Sequence, residues 1–137
     1  MKLCSACLLG VKCRYDGKSK PNDKVIKLSE KEHFIPICPE ELGGLAIPRE
    51  PSERKNGKVI SKSGENLTRN FENGSKIVLN IAKRLKIKEA ILKQRSAACG
   101  SGQIYDGTFS RKLIKGDGVT TELLRKNGIK VISEEEL

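Results

Sequence analysis

Short apolar runs alternate with helix-forming segments along this chain, and that alternation is what most limits its fold. Lys2 to Ser5, Phe34 to Pro39, Glu89 to Lys93 and Ile129 to Ser133 have strand length and composition. Thr68 to Leu85 is the strongest helix, with Phe71, Ile77, Val78, Ile81, Ala82 and Leu85 near one face and Gly74 as a weakening interruption. A short helix is expected over Val25 to Lys31, and another from an N-cap at Thr120 to Asn127-Gly128. Strands separated by helices argue for βαβ units, so the fold class is α/β: a mostly parallel sheet flanked by helices. Asn56-Gly57 before Val59-Ile60 reads as a hairpin turn, Ile104 to Phe109 as a turn-containing segment, and Glu134-Glu135-Glu136 as a solvated end.

In a sheet of this kind ligands gather outside the carboxyl ends of the strands. Cys7, Cys38 and Cys99 each lie just past one of the expected strands. The chain has five cysteines, an odd number scattered at positions 4, 7, 13, 38 and 99, which is not the dense framework of a small disulfide scaffold. A single histidine and 4% aromatics leave little material for a zinc-histidine site, a Ser-His-Asp triad or a base-stacking platform. Metal or thiol chemistry is the better reading.

The Cys-x-x-Cys at 4 to 7 is a weak redox motif, because a redox dithiol opens a helix whereas Cys4 lies inside the apolar start and reads as a small buried hydrophobe. Structural zinc normally takes ligands in close pairs, and Cys38 and Cys99 have no cysteine neighbour. Three isolated thiolates from distant loops fit an incompletely ligated iron-sulfur cluster, whose free iron acts as a Lewis acid.

At 137 residues the expectation is a single domain over 1–137. No apolar run of about 18 residues and no signal-like leader stands in the sequence, so a soluble, cytoplasmic protein without a membrane partner is expected. A net charge of +10 draws anions, whether a phosphate-bearing small molecule or a nucleic acid, although much of it reads as a solvated lysine surface. The scarcity of aromatics counts against an RNA-binding module.

Several short motifs occur in a fixed order. They are Ser5-Ala6-Cys7-Leu8-Leu9-Gly10, Cys13-Arg14-Tyr15-Asp16-Gly17, Cys38-Pro39-Glu40, Gly43-Gly44-Leu45, Pro48-Arg49, Ser96-Ala97-Ala98-Cys99-Gly100, Ile104-Tyr105-Asp106-Gly107-Thr108-Phe109 and Gly118-Val119-Thr120. Together they resemble the thiouracil desulfidase family over almost the whole chain. The resemblance implies a Rossmann-like domain that holds a 4Fe-4S cluster through Cys7, Cys38 and Cys99. It implies non-redox removal of sulfur, as hydrosulfide, from a small thiolated pyrimidine, either a thiouracil or 4-thiouridine monophosphate, with Glu40 and Ser96 as acid/base residues.

Where the family often has Ser-Pro-Ser-Cys this chain has Ser-Ala-Ala-Cys, which keeps the first serine and the cysteine. Cys13 reads as a packing cysteine. Glu40, after Pro39, also has the ordinary reading of a carboxylate at a helix start. The glycines at 43, 44 and 100, with Ser101, offer backbone N–H groups to a substrate phosphate, and Arg49 a guanidinium. An iron-sulfur sensor or scaffold without catalysis is the competing reading, and it would need neither Glu40 nor Ser96.

Overall fold

The computed structural model describes residues 1–137. In chain order, β1 (Lys2–Ser5) runs through a 3-10 turn at Ala6–Leu9 to α1 (Asp23–Ser29) and β2 (Phe34–Ile37), and α2 (Pro39–Leu42) follows at once. Next come β3 (Ser52–Lys55), β4 (Lys58–Ser61) and the long α3 (Thr68–Arg84). The chain ends with β5 (Glu89–Leu92), β6 (Gln103–Tyr105), β7 (Leu113–Lys115), α4 (Val119–Lys126), β8 (Lys130–Ser133) and a 3-10 turn at Glu134–Glu136. No helix is long and apolar enough to cross a membrane.

Four strands form one parallel sheet in the order β2-β1-β5-β8, with helices on both faces, as the alternation predicts. Strand side chains point alternately to opposite faces. Leu3, Ala90 and Leu92 therefore join Phe71, Val78 and Ala82 of α3 and Leu124 of α4 in one apolar cluster. Cys4 and Ile91 face the other way and pack with Leu8 and Val25 of α1. Pro36 falls in β2 at the sheet edge, where a missing N–H costs no ladder bond on the outer side. Pro39 starts α2 instead of extending the strand, since the first helical position needs no N–H donor.

The chain moves outward from β1 to β2 and then crosses back to β5, so the connectivity reverses between β1 and β5. That reversal opens a crevice at their carboxyl ends.

Helix α3 buries Phe71, Gly74, Ser75, Val78, Leu79 and Ala82. Of the expected core face, Ile77 and Leu85 are exposed instead: Ile77 lies about 100° round from Val78, and Leu85 is already the C-cap. Gly74 is a contact point and not merely a weak link. A Cβ there would lie 1.9 Å from the Pro39 carbonyl oxygen, and one at Gly43 would lie 2.1 Å from that of Asn70. The backbones of α2 and α3 thus touch, and Asn70 Nδ2 donates to the Gly43 carbonyl at 2.9 Å.

Three further expectations are corrected. Gly118, not Thr120, caps α4. Thr120 is fully buried, its Oγ1 2.7 Å from Ser75 Oγ, and Thr121 Oγ1 donates to the Cys99 carbonyl at 2.9 Å, so both hydroxyls stitch α4 to its neighbours. The Ile104 to Phe109 segment begins as β6, which pairs antiparallel with β7. The acidic end is tied down: Glu134 is buried, 3.2 Å from Lys93 Nζ, Glu135 pairs with Arg95, and Glu136 closes a capping box with Ser133. The hairpin turn at Asn56-Gly57 joins β3 to β4 as expected, both residues having positive φ.

Candidate functional site

A cleft of about 560 Å³ opens at the carboxyl ends of β1, β2 and β5 and takes in four cysteines: Cys7, Cys13, Cys38 and Cys99. Each is set by its own local structure. Cys7 sits in the 3-10 turn after β1, which Gly10 ends in a left-handed conformation at φ 97°. Cys38 is the N-cap of α2. Cys99 follows β5 in a loop pinned by Ser96, whose Oγ accepts from the backbone N–H groups of Ala98 at 3.1 Å and Cys99 at 3.0 Å. Cys4, the other member of the Cys-x-x-Cys, is fully buried and does not line the cleft.

Cys7, Cys13 and Cys99 are buried and Cys38 is half-buried. Burial pushes the Cys99 thiol up to about 12, against the pull of the Ser5 and Ser96 hydroxyls beside it. For Cys13 the hydrogen bond with Cys38 lowers the value, but the bond with Cys7 and burial outweigh it and leave it at about 11. Cys38 is raised above the thiol range by its hydrogen bond with Cys13 and by burial. Without a cation the Cys13, Cys38 and Cys99 thiols stay protonated near neutral pH, so a metal that binds them displaces protons.

Glu40 stands in the first turn of α2 on the same cleft. Arg49 Nε donates to Glu40 Oε1 at 3.1 Å, Nη1 to the Ala46 carbonyl at 3.2 Å and Nη2 to the Cys13 carbonyl at 2.8 Å. The guanidinium is therefore already spent on protein groups and holds Glu40 against the cysteine loop. Ser96 also lines the cleft.

Gly43, Gly44, Gly100 and Ser101 do not. Gly43 is used by the contact with α3. At Gly100 a Cβ would come within 2.6 Å of the Gln103 carbonyl, which makes it a backbone packing point. Ser101 is enclosed by Gln94 and Arg125: its N–H donates to Gln94 Oε1 at 2.8 Å and its Oγ accepts from Arg125 Nη2 at 2.7 Å. The structure thus brings Cys7, Cys38, Cys99, Glu40, Ser96 and Arg49 together and leaves these four outside.

Sequence reasoning missed the cleft's aromatic and basic walls. Tyr15, Tyr105 and Phe109 line it, so few aromatics did not mean no flat surface at the site. The missed signal is a repeated tripeptide, Tyr-Asp-Gly, at 15 to 17 and 105 to 107. Both copies fold alike: Asp16 Oδ1 accepts from Lys18 N at 3.0 Å, Asp106 Oδ1 from Thr108 N at 2.9 Å, and both glycines have positive φ. The loop bearing Phe109 is gripped by Glu53 Oε1, which accepts from Gly107 N and Phe109 N at 3.0 Å each. Among the cleft's cations, Arg14, Arg49, Lys93 and Arg95 are paired with Asp16, Glu40, Glu134 and Glu135, whereas Lys62 and Arg111 have no acidic partner.

Comparison with known proteins places these features. The family model described as 2-thiouracil desulfurase matches residues 3–136. The Bacillus subtilis (strain 168) protein YbbK is 43% identical over 147 residues, a match that covers 100% of this chain and 97% of that protein. A solved structure titled 4Fe-4S-dependent thiouracil desulfidase TudS superposes with a TM-score of 0.94 at 41% identity, over 99% of this chain and 91% of that one. The family resemblance carried by the motifs and the α/β fold class read from the alternation of strands and helices are both borne out.

Proposed function

Since the chain belongs to the 2-thiouracil desulfurase family, we propose that it is an iron-sulfur-dependent enzyme, with residues 1–137 acting as one desulfidase domain on a thiolated pyrimidine. The observation that carries the reading is the convergence of Cys7, Cys38 and Cys99, from the ends of three adjacent parallel strands, on a cleft that also holds Glu40 and Ser96. The similar TudS structure, named as 4Fe-4S-dependent, supports the cofactor.

The donor set fits a 4Fe-4S cluster. Three thiols from separate loops can each take one iron, and the cleft has no histidine to compete for the metal. When bound, such a cluster supplies an iron without a protein ligand, a soft Lewis acid that prefers sulfur to oxygen.

The rest of the chemistry falls to the chain's own groups. Arg49 holds Glu40 Oε1 and leaves Oε2 to take a proton from the water that attacks the thiocarbonyl carbon. Ser96 Oγ accepts two backbone bonds, so its own proton is its remaining donor; it lies beside the Cys99 sulfur and can swing to the ring or to the departing sulfur. Water and thiocarbonyl become carbonyl and hydrosulfide plus a proton, with no net redox change. Tyr15 and Tyr105 offer faces for the pyrimidine ring.

A nucleotide, 4-thiouridine monophosphate, suits the cleft better than a free base. The cleft is larger than a bare ring requires, and Lys62 and Arg111 give it two uncommitted cations for a phosphate. The test is anaerobic reconstitution followed by addition of 4-thiouridine monophosphate or 2-thiouracil. Loss of thiocarbonyl absorbance together with released hydrosulfide is expected. An intact cluster with no turnover on either compound would instead mark a sensor or scaffold.

A further inference from the structure

Cys13 has no role in the reaction above, yet it is buried within the same cleft. Its Sγ, the Cys38 Sγ and a carboxylate oxygen of Glu41 lie within 4.8 Å of one another. They come from two separately fixed pieces of chain, the Cys13 loop and the start of α2. The Cys13 carbonyl is held by Arg49, Cys38 caps α2, and Glu41 stands in the first turn of that helix, whose backbone is locked against α3. Two thiols and a carboxylate form a borderline-soft donor set. Tetrahedral zinc holds sulfur at about 2.3 Å and oxygen at about 2.0–2.2 Å, so its ligands lie within the same span of one another. Cys7, hydrogen-bonded to Cys13, or a water completes the tetrahedron.

We propose that Cys13, Cys38 and Glu41 form a binding site for a zinc-like divalent cation in the cluster-free chain. The charge accounts agree: two thiolates and a carboxylate leave a single negative charge around a divalent ion, and the Arg49 guanidinium lies against the Cys13 backbone. The site does not depend on the desulfidase reading. If that reading holds, the site and the cluster exclude each other, because both need Cys38. A chain that has taken zinc is then closed to iron and sulfide until the zinc leaves.

The experiment is a titration of the full chain, prepared anaerobically without iron, with cobalt(II) as the spectroscopic stand-in for zinc. One equivalent is expected to bind with thiolate-to-cobalt charge-transfer bands and tetrahedral ligand-field bands, and zinc is expected to displace it. Cys13→Ser and Glu41→Gln should each weaken binding by at least about tenfold. Glu41 is exposed, so its variant tests the site without disturbing the core. Cys99→Ser should bind as the parent does. Unchanged affinity in both Cys13→Ser and Glu41→Gln, loss of binding in Cys99→Ser, or no stoichiometric binding by the parent chain would each overturn the proposal.

Discussion

Arg49 and Glu40 form an ion pair at 3.1 Å in which the arginine side chain is only 8% exposed and the glutamate 21%. The same guanidinium bonds the Cys13 carbonyl, so one residue sets the carboxylate relative to the cysteine loop. Arg49→Gln releases that carboxylate from its fixed position. Misplacement of a catalytic group by about 1 Å costs about 100-fold in rate, and kcat is expected to fall by that order while the reconstituted cluster's absorbance is kept. An Arg49→Gln protein with full kcat would show that Glu40 needs no such support.

Glu53 acts at a greater distance from the chemistry. It bonds two backbone N–H groups of the loop that carries Phe109, a residue held at φ 58°. A bulky residue with positive φ persists only where its surroundings enforce it. Glu53→Ala is expected to loosen the wall and raise KM about tenfold with kcat little changed, the pattern of lost ground-state binding. A fall in kcat at constant KM would put Glu53 in the reaction itself.

The contact between Gly74 and Pro39 leaves no room for a methyl group. Gly74→Ala would raise helix propensity in isolation. Here it must push α2 away from α3, and overpacking of this kind costs about 1–3 kcal/mol. Net destabilisation in urea is therefore expected, together with poorer cluster retention because Cys38 and Glu40 ride on α2. A more stable Gly74→Ala protein would mean that α2 can yield freely.

Cys4 gives the protein an alkaline weakness. Burial, aided by the Glu134 carboxylate, pushes its thiol from 9.0 up to about 12. The folded state therefore keeps the proton that the unfolded chain gives up first. Stability from this group is complete below pH 9.0 and declines as pH rises toward 12, by about 1.4 kcal/mol per pH unit. Subtracting the stability curve of Cys4→Ala from that of the parent isolates this slope. Parallel curves through the alkaline range would contradict it.

Much of this architecture was legible because it rests on local pattern. Strand runs such as Ala90-Ile91-Leu92 are buried on both faces and read as continuous apolar segments, and a cysteine just beyond each of three strands marks the crevice. The motif resemblance carried the rest of the site. What escaped were relationships between distant segments. Gly74 looks like a flaw in α3 until Pro39 is set against it. Thr120 looks like a cap until Ser75 is found opposite its hydroxyl. Glu134 looks solvated until β5 brings Lys93 beside it. The pairing of β6 with β7 gave little signal because Leu113, Ile114 and Lys115 are all exposed, with no alternation between faces.

The strand order also governs what happens on the ribosome. β1 is made first and gains its β2 neighbour early, but its other edge stays open until β5 has been synthesised, after more than half of the chain. During that interval Cys7 and Cys38 have been made while Cys99 does not yet exist. A chain interrupted before β5 lacks both the third sulfur of the cluster set and the partner for the open edge of β1, so the three-cysteine set is complete only once translation has passed Cys99.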